Sequence, residues 1–250
     1  MRGVPRARGW LPRRRLRGPR GLSAAVSIIV LVICATFASR QARRKEEGGG
    51  GFPAPAARGE IVERGRVARV QDGDTVRLAD GRTVRYLGID APEEDEPLHR
   101  EARALNERLV GGREVELRRG GAATSDRYGR LLAAVHVRTS GGEDILVQRV
   151  LLREGLASVY IVDARSLRPD LLQDLLSAQE EAIAGQKGIW RGILERFRTR
   201  EEPLVSTRLR IHRPSCAEIQ DVRPRPVKSL EEELRRGKSL CRACRPLRGN

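Results

Sequence analysis

From residue 61 onward, apolar and polar positions alternate with the period of two that marks half-buried strands. The runs are residues 67–70, 75–78, 83–89, 115–117 and 131–137. Between them lies one stripe with helical spacing, Leu98, Ala102, Leu105 and Leu109, which begins after Pro97 and ends at Gly111-Gly112. A second helix is predicted over residues 144–153, closed by Gly155. A third follows Pro169, with Leu171, Leu175, Ala178 and Ala182 on one stripe and Leu172, Leu176 and Ile183 beside it. Five strands and three helices in this order predict an α+β domain, mainly β, built as a small antiparallel barrel with packed helices.

Upstream the pattern differs. Residues 22–38 form an uninterrupted apolar run of 17, preceded by eight arginines in residues 1–20 and followed by Arg40, Arg43, Arg44 and Lys45. Its length is at the short end for a membrane span, and the heavier positive charge before it predicts a cytoplasmic N-terminus with the rest of the chain outside. An uncleaved transmembrane anchor is the preferred reading, with a cleaved signal peptide as the competitor. In either case the remainder is exported. Residues 39–59, with four consecutive glycines at 48–51 and prolines at 53 and 55, read as a flexible tether.

The formal charge is +16, but its placement limits what it means. Residues 61–192 hold 21 bases against 22 acids, whereas residues 193–250 hold 15 against eight. The basicity sits at the ends, so charge alone does not make the middle a nucleic-acid binder.

What changes the picture there is the stretch from Val70 to Glu93. Asp72 and Asp74 are two apart, which on an extended strand sends both side chains from one face, and Gly73 lets the backbone pass closely between them. Asp80-Gly81 is a hairpin signal that folds residues 83–89 back, carrying Arg85 mid-strand and Asp90 at its end, with Glu93 just past Pro92. Three carboxylates (Asp74, Asp90, Glu93) and an arginine, brought together by one hairpin, suit a hard cation bound to a phosphate. On composition alone, solvated strand-end charges are the commoner case. His99 and His136 lie in no motif that pairs them with a nucleophile or a metal.

Four strings taken together carry more weight: D-G-D-T at 72–75, R-Y-L-G-I-D-A-P-E at 85–93, D-R-Y-G-R at 126–130 and G-I-W at 188–190. In order and separation they resemble the staphylococcal (thermo)nuclease-like domain family, over roughly residues 60–192. The resemblance implies an OB-fold barrel and a Ca²⁺-dependent phosphodiesterase acting on DNA and RNA. It implies carboxylate ligands Asp74 and Asp90, with the main-chain carbonyl of Ala91 (where other members carry threonine) completing the protein's share. Glu93 would be the general base, Arg85 and Arg130 would grip the phosphate, and Arg127 and Tyr128 would hold a terminal phosphate or the strand. Asp72 would support the ligands, and Trp190 would be a core anchor. The tyrosine that the family places beyond its Gly-Leu-Ala turn is displaced here by about one position, at Tyr160.

After a charged, loosely structured connector over residues 193–209, the tail carries His212-x3-Cys216 and Cys241-x2-Cys244, two close pairs with 24 residues between them. That spacing is a zinc signal, with a disulfide as the alternative outside the cytoplasm. Residues 212–246 resemble the small metal-binding module of Ada-type DNA repair proteins, with His212 in place of the first cysteine. Its positive charge would add nonspecific attraction to nucleic-acid backbones. The sequence thus predicts an exported, membrane-tethered nuclease with no identified protein partner. The competing readings are a noncatalytic nucleic-acid-binding module on the same barrel and a surface DNA receptor.

Overall fold

The computed structural model describes residues 59–163 and 166–247. The apolar run at 22–38 and the glycine-rich tether up to residue 58 lie outside them. Among the described residues no helix is long and apolar enough to cross a membrane.

The longest strand, β1 (Ile61–Val70), serves two neighbours. Its first half pairs antiparallel with β5 (Glu114–Arg118) and its second half with β2 (Thr75–Leu78), and a bulge between Val67 and Arg69 bends it between them. Gly65 sits where β1 crosses Leu78, whose side chain would lie 3.0 Å from any added Cβ. β2 pairs with β3 (Thr83–Tyr86), β5 with β6 (Leu131–Arg138), and β3 runs parallel to β6, which closes five strands into a barrel. Its interior is filled by the inward positions of each strand, among them Val67, Val76, Val84, Tyr86, Val115 and Val135, all essentially without exposure. Closure leaves no free strand edges within the ring.

The first helix, α1 (His99–Val110), matches the stripe after Pro97, although its buried line is Ala102, Asn106 and Val110, with Leu105 and Leu109 flanking it. The second expectation needs correcting. Residues 144–146 form β7 (Asp144–Leu146) against β6, and only then does α2 (Val147–Arg153) begin. Asp144 is drawn into the sheet because its carboxylate is needed there: it accepts from Arg118 at 2.8 Å and lies 3.0 Å from His136 Nδ1. His136 is accordingly a buried structural residue, its imidazole held below its ordinary pKa chiefly by burial. The third helix, α3 (Pro169–Ala184), buries Leu171, Leu175, Ala178 and Ala182 as the spacing predicts.

Strand 83–89 is not continuous. Gly88, at φ +85, breaks it, and β4 (Ile89–Asp90) leaves the barrel to pair with β8 (Ser158–Val159). That break is what swings Asp90 toward the site.

The tail differs most from expectation. Residues 193–209 are not a loose connector: α4 (Ile189–Thr199) runs through their start and buries Trp190, Ile193 and Leu194. These side chains form a second core with Ala182, Leu204, Ile211, Leu230, Leu234 and Leu247. Around that core lie β9 (Val205–Ser206), β10 (Arg210–His212), β11 (Arg225–Pro226) and β12 (Ser239–Leu240) in one small sheet, and α5 (Leu230–Arg235), capped by the Ser229 hydroxyl. A core shared through Ala182 ties this module to α3. Ile161 N–H donates to Ser239 Oγ at 3.1 Å, and Arg235 pairs with Glu180 at 2.8 Å across the same junction.

Candidate active site

The site begins at the turn between β1 and β2. Asp72 and Asp74 are not side by side on a strand. The Asp72 carboxylate turns back to accept the Asp74 N–H at 2.9 Å, an Asx turn that leaves Asp74 pointing inward. Gly73 makes this possible, because a Cβ there would lie 2.6 Å from Ala91 Cβ and 2.8 Å from Ala102 Cβ. The turn is pinned from the other side by Asn106, which donates to Asp72 O at 3.0 Å and accepts from the Tyr86 hydroxyl at 2.8 Å.

Asp74 is 5 % exposed. Its Oδ1 accepts from the Thr75 hydroxyl at 3.0 Å, and its Oδ2 accepts from Ala91 N–H at 2.7 Å and from Arg85 at 3.0 Å. Burial pushes its carboxyl up to about 7, against the pull of the Arg85 guanidinium. Arg85 also donates to Asp90 Oδ1 at 3.1 Å, while its other terminal nitrogen donates to the carbonyls of Tyr86 and Ile89, each at 2.8 Å. One buried guanidinium therefore gathers two carboxylates and fixes the β3–β4 bend. Both of its terminal nitrogens are occupied in doing so.

Asp90 is one-fifth exposed and Glu93 about half, so the cluster opens to solvent on that side. The loop between them is held by Glu93 N–H to Glu96 Oε2 at 2.6 Å and by His99 Nδ1 against Pro92 O at 2.9 Å. Asp74 and Asp90 offer hard oxygens that converge on a single nitrogen, donors of the kind a hard divalent cation takes.

The other expected residues sit apart from these carboxylates. Arg130 is held in its own turn by Asp126, through its N–H to Oδ1 at 3.0 Å and Nε to Oδ2 at 2.7 Å. It stands one residue before Leu131, which pairs with Val84, so it enters the barrel on the strand next to Arg85. Arg127 donates to the Tyr128 hydroxyl at 2.7 Å, and both Arg127 and Arg130 lie over the Tyr128 ring, at 4.8 and 5.5 Å. Tyr128 is 69 % exposed, so this is a basic, aromatic-faced surface patch and not part of the core. Trp190 is fully buried in the second core.

Residues 83–192 match the family model described as "Staphylococcal nuclease homologue". Over these residues the chain is similar to staphylococcal-nuclease domains. It is 34 % identical over 132 residues to the SPbeta prophage-derived endonuclease YokF of Bacillus subtilis (strain 168), covering 49 % of this chain and 42 % of that one. It is 33 % identical over 132 residues to Endonuclease YncB of the same organism, covering 49 % and 59 %. It is also 30 % identical over 106 residues to the probable staphylococcal-like nuclease CAN1 of Oryza sativa subsp. japonica, covering 42 % and 28 %. The chain thus spans about half the length of the two Bacillus relatives.

Beyond the nuclease-like domain, the second cluster assembles as its spacing suggests. One donor atom from each of His212, Cys216, Cys241 and Cys244 lies within 4.8 Å of the others. The three thiols are free, and burial pushes that of Cys241 up to about 12 and raises that of Cys244. His212 Nδ1 is buried without a hydrogen-bond partner, while Nε2 lies 3.4 Å from the Thr207 hydroxyl. A buried imidazole with an unpartnered ring nitrogen, set among three thiols, is the setting a metal ligand has. One nitrogen and three sulfurs are donors suited to tetrahedral Zn²⁺.

Sequence reasoning missed Arg242. From between Cys241 and Cys244 it donates through Nε to Asp90 Oδ2 at 2.9 Å, and it also pairs with Asp90 Oδ1 and with Glu93 Oε1, the latter at 3.3 Å. Its position between two metal-spaced cysteines was the only signal, and that pointed to the metal and not to the carboxylates 149 and 152 positions away. Tyr160 likewise faces the tail: its ring lies 4.5 Å from the Arg210 guanidinium and 5.0 Å from that of Arg242.

Proposed function

We propose that this chain is a Ca²⁺-dependent phosphodiesterase that hydrolyses DNA and RNA strands with little sequence preference. The observation that carries the reading is the convergence of Asp74 and Asp90 on the buried Arg85, with Glu93 at the open rim, inside a staphylococcal-nuclease-like domain. A binding module alone would have little use for a buried Asp74 beside a partly exposed Asp90, because burying such a charge is costly unless it holds something.

Asp74, Asp90 and the Ala91 carbonyl would hold the cation, which when bound neutralises charge on the phosphate. Glu93, exposed and within reach of solvent, takes a proton from a water whose oxygen bonds to phosphorus. The P–O bond on the far side breaks, and the departing oxygen takes a proton from solvent. Arg85 sets the positive potential beneath the phosphate while it holds Asp90 in place. Arg130, released from Asp126 or reaching past it, grips the equatorial oxygens with a planar fork that lysine lacks. Arg127 and the exposed ring of Tyr128 receive the flanking strand.

We further infer that the Cys/His cluster holds a structural Zn²⁺. The arginine-flanked apolar run at residues 22–38 supports export and membrane tethering of the enzyme. The test is release of acid-soluble nucleotides from denatured DNA by the purified chain, with calcium, with chelator, and for Glu93→Gln. Calcium-dependent release that falls at least about 100-fold in the variant is expected. Wild-type protein that is folded, binds calcium and cleaves neither DNA nor RNA would refute the reading.

A further inference from the structure

The carboxylate cluster does not end at the barrel. A cleft of about 950 Å³ runs between the 90–98 loop and the C-terminal module; Asp90, Glu93 and Asp95 lie on one wall, and Arg213, Arg242 and Arg245 on the other. The two walls are tied together by Arg242 on Asp90 and Glu93 and by Arg245 on Asp95 at 3.0 Å. The base of Arg242 is fixed by the folded module, since Cys241 N–H donates to Ile211 O at 2.9 Å and Arg245 N–H to Cys241 O at 3.0 Å. Its guanidinium is steered by the Tyr160 ring.

Charge makes this contact conditional. With Asp74 ionised, as a cation ligand must be, Asp74, Asp90 and Glu93 carry three negative charges against the two positive ones of Arg85 and Arg242. A divalent cation needs oxygens of Asp90 that Arg242 now covers, and Arg242 cannot yield by losing its proton. It yields only by moving away. A phosphate arriving with the cation brings the nearest new anion, and a guanidinium fork fits a phosphate as well as it fits a carboxylate.

We propose that the C-terminal Cys/His module completes the active-site cleft, and that Arg242 is a phosphate-binding residue which rests on Asp90 and Glu93 in the free protein and passes to a phosphate of the nucleic-acid strand when the cation binds. This rests on the phosphodiesterase reading above and extends it to the module, which becomes part of the substrate site and not an appendage. Because Arg242 stands between two cluster cysteines, the order of that cluster sets where the guanidinium sits.

The experiment uses the full chain as wild type, Arg242→Gln and Arg242→Lys, with circular dichroism to verify folding. The side chain is 42 % exposed, so both variants are expected to fold. Calcium affinity is measured by calorimetry without nucleic acid, and kcat and KM are measured on single-stranded DNA at saturating calcium. Arg242→Gln is expected to bind calcium about tenfold more tightly, having lost a competitor, and to show a KM raised about tenfold, having lost a charge-assisted phosphate contact. Arg242→Lys, which keeps the charge without the fork, should fall between. Unchanged calcium affinity in Arg242→Gln would overturn the proposal. So would tighter calcium binding with faster turnover and unchanged KM, since that is the signature of a plug that never touches substrate. If wild type cleaves and Arg242→Gln matches it in every respect, this inference alone fails. If wild type binds calcium and cleaves nothing, the phosphodiesterase reading fails and takes the inference with it.

Discussion

Gly73→Ala tests whether close packing is what holds the carboxylates in place. The substitution adds one methyl group in a buried turn, at a position where the backbone needs no left-handed conformation. The entire effect is therefore steric. The new Cβ would stand 2.6 Å from Ala91 Cβ and 2.8 Å from Ala102 Cβ, and ordinary contact between such carbons is roughly 3.5–4.0 Å. Both neighbours are bonded directly to backbone, so no rotamer change relieves the overlap. Either the turn or the Ala91 loop must move by about 1 Å, or α1 must tilt. The turn cannot move freely, because Asp72 O accepts from Asn106 at 3.0 Å and Asp74 Oδ2 accepts from Ala91 N–H at 2.7 Å.

Overpacking of this kind costs about 1–3 kcal/mol, which for a folded unit of this size lowers Tm by roughly 2–12 °C. Calcium affinity should fall along with it, because Asp74 and Ala91 are the groups being pushed apart. A calorimetric melt and a calcium titration read the two effects separately. The double variant Gly73→Ala/Ala102→Gly removes one of the two clashes. It should recover stability beyond the sum of the single effects, even though glycine in a helix costs about 0.5–1 kcal/mol by itself. A Gly73→Ala protein that melted within a degree of wild type and bound calcium equally well would show that the turn opens without cost. The packing argument would then be wrong.

Two further outcomes follow from the same geometry. Because the Asp74 carboxyl is raised to about 7 by burial, protons compete with the cation for it. The sign is fixed by the ligand form being the deprotonated one: calcium affinity should be level above about pH 8 and fall by up to about tenfold per unit below pH 7, with proton release on binding, and calorimetry in buffers of different ionisation enthalpy would contradict this by showing no proton release near neutrality. For the Cys/His cluster, elemental analysis should find one zinc per chain. Cys241→Ser should lose it and destabilise the module's small core of Cys216, Ile219 and Cys241, seen as a lower or split thermal transition; a metal-free wild type of undiminished stability would leave the cluster a set of buried thiols.

The barrel was legible because its signal is local. The apolar runs at residues 75–78 and 131–137 mark strands by their own composition, and the structure buries them at most positions. The breaks were harder to read because they answer to distant partners. Asp144 belongs to a strand and not to a helix, since Arg118 and His136 wait for it across the sheet. The strand from Thr83 ends early because Gly88 passes against Leu175, where a Cβ would lie 2.7 Å from the leucine methyl group. The carboxylates were readable by motif, but not the reason they stay together: one arginine with both terminal nitrogens occupied, and a glycine with no room for a methyl. The tail shows the same limit more sharply. Four metal-spaced residues announce a site by themselves, whereas Arg242 becomes part of another site only once a shared core through Ala182 brings the module against the barrel. A pattern in sequence reveals the groups that act together within one element. Groups that meet across two cores are revealed by packing, and here packing places a basic residue of the tail on the acids of the nuclease-like domain.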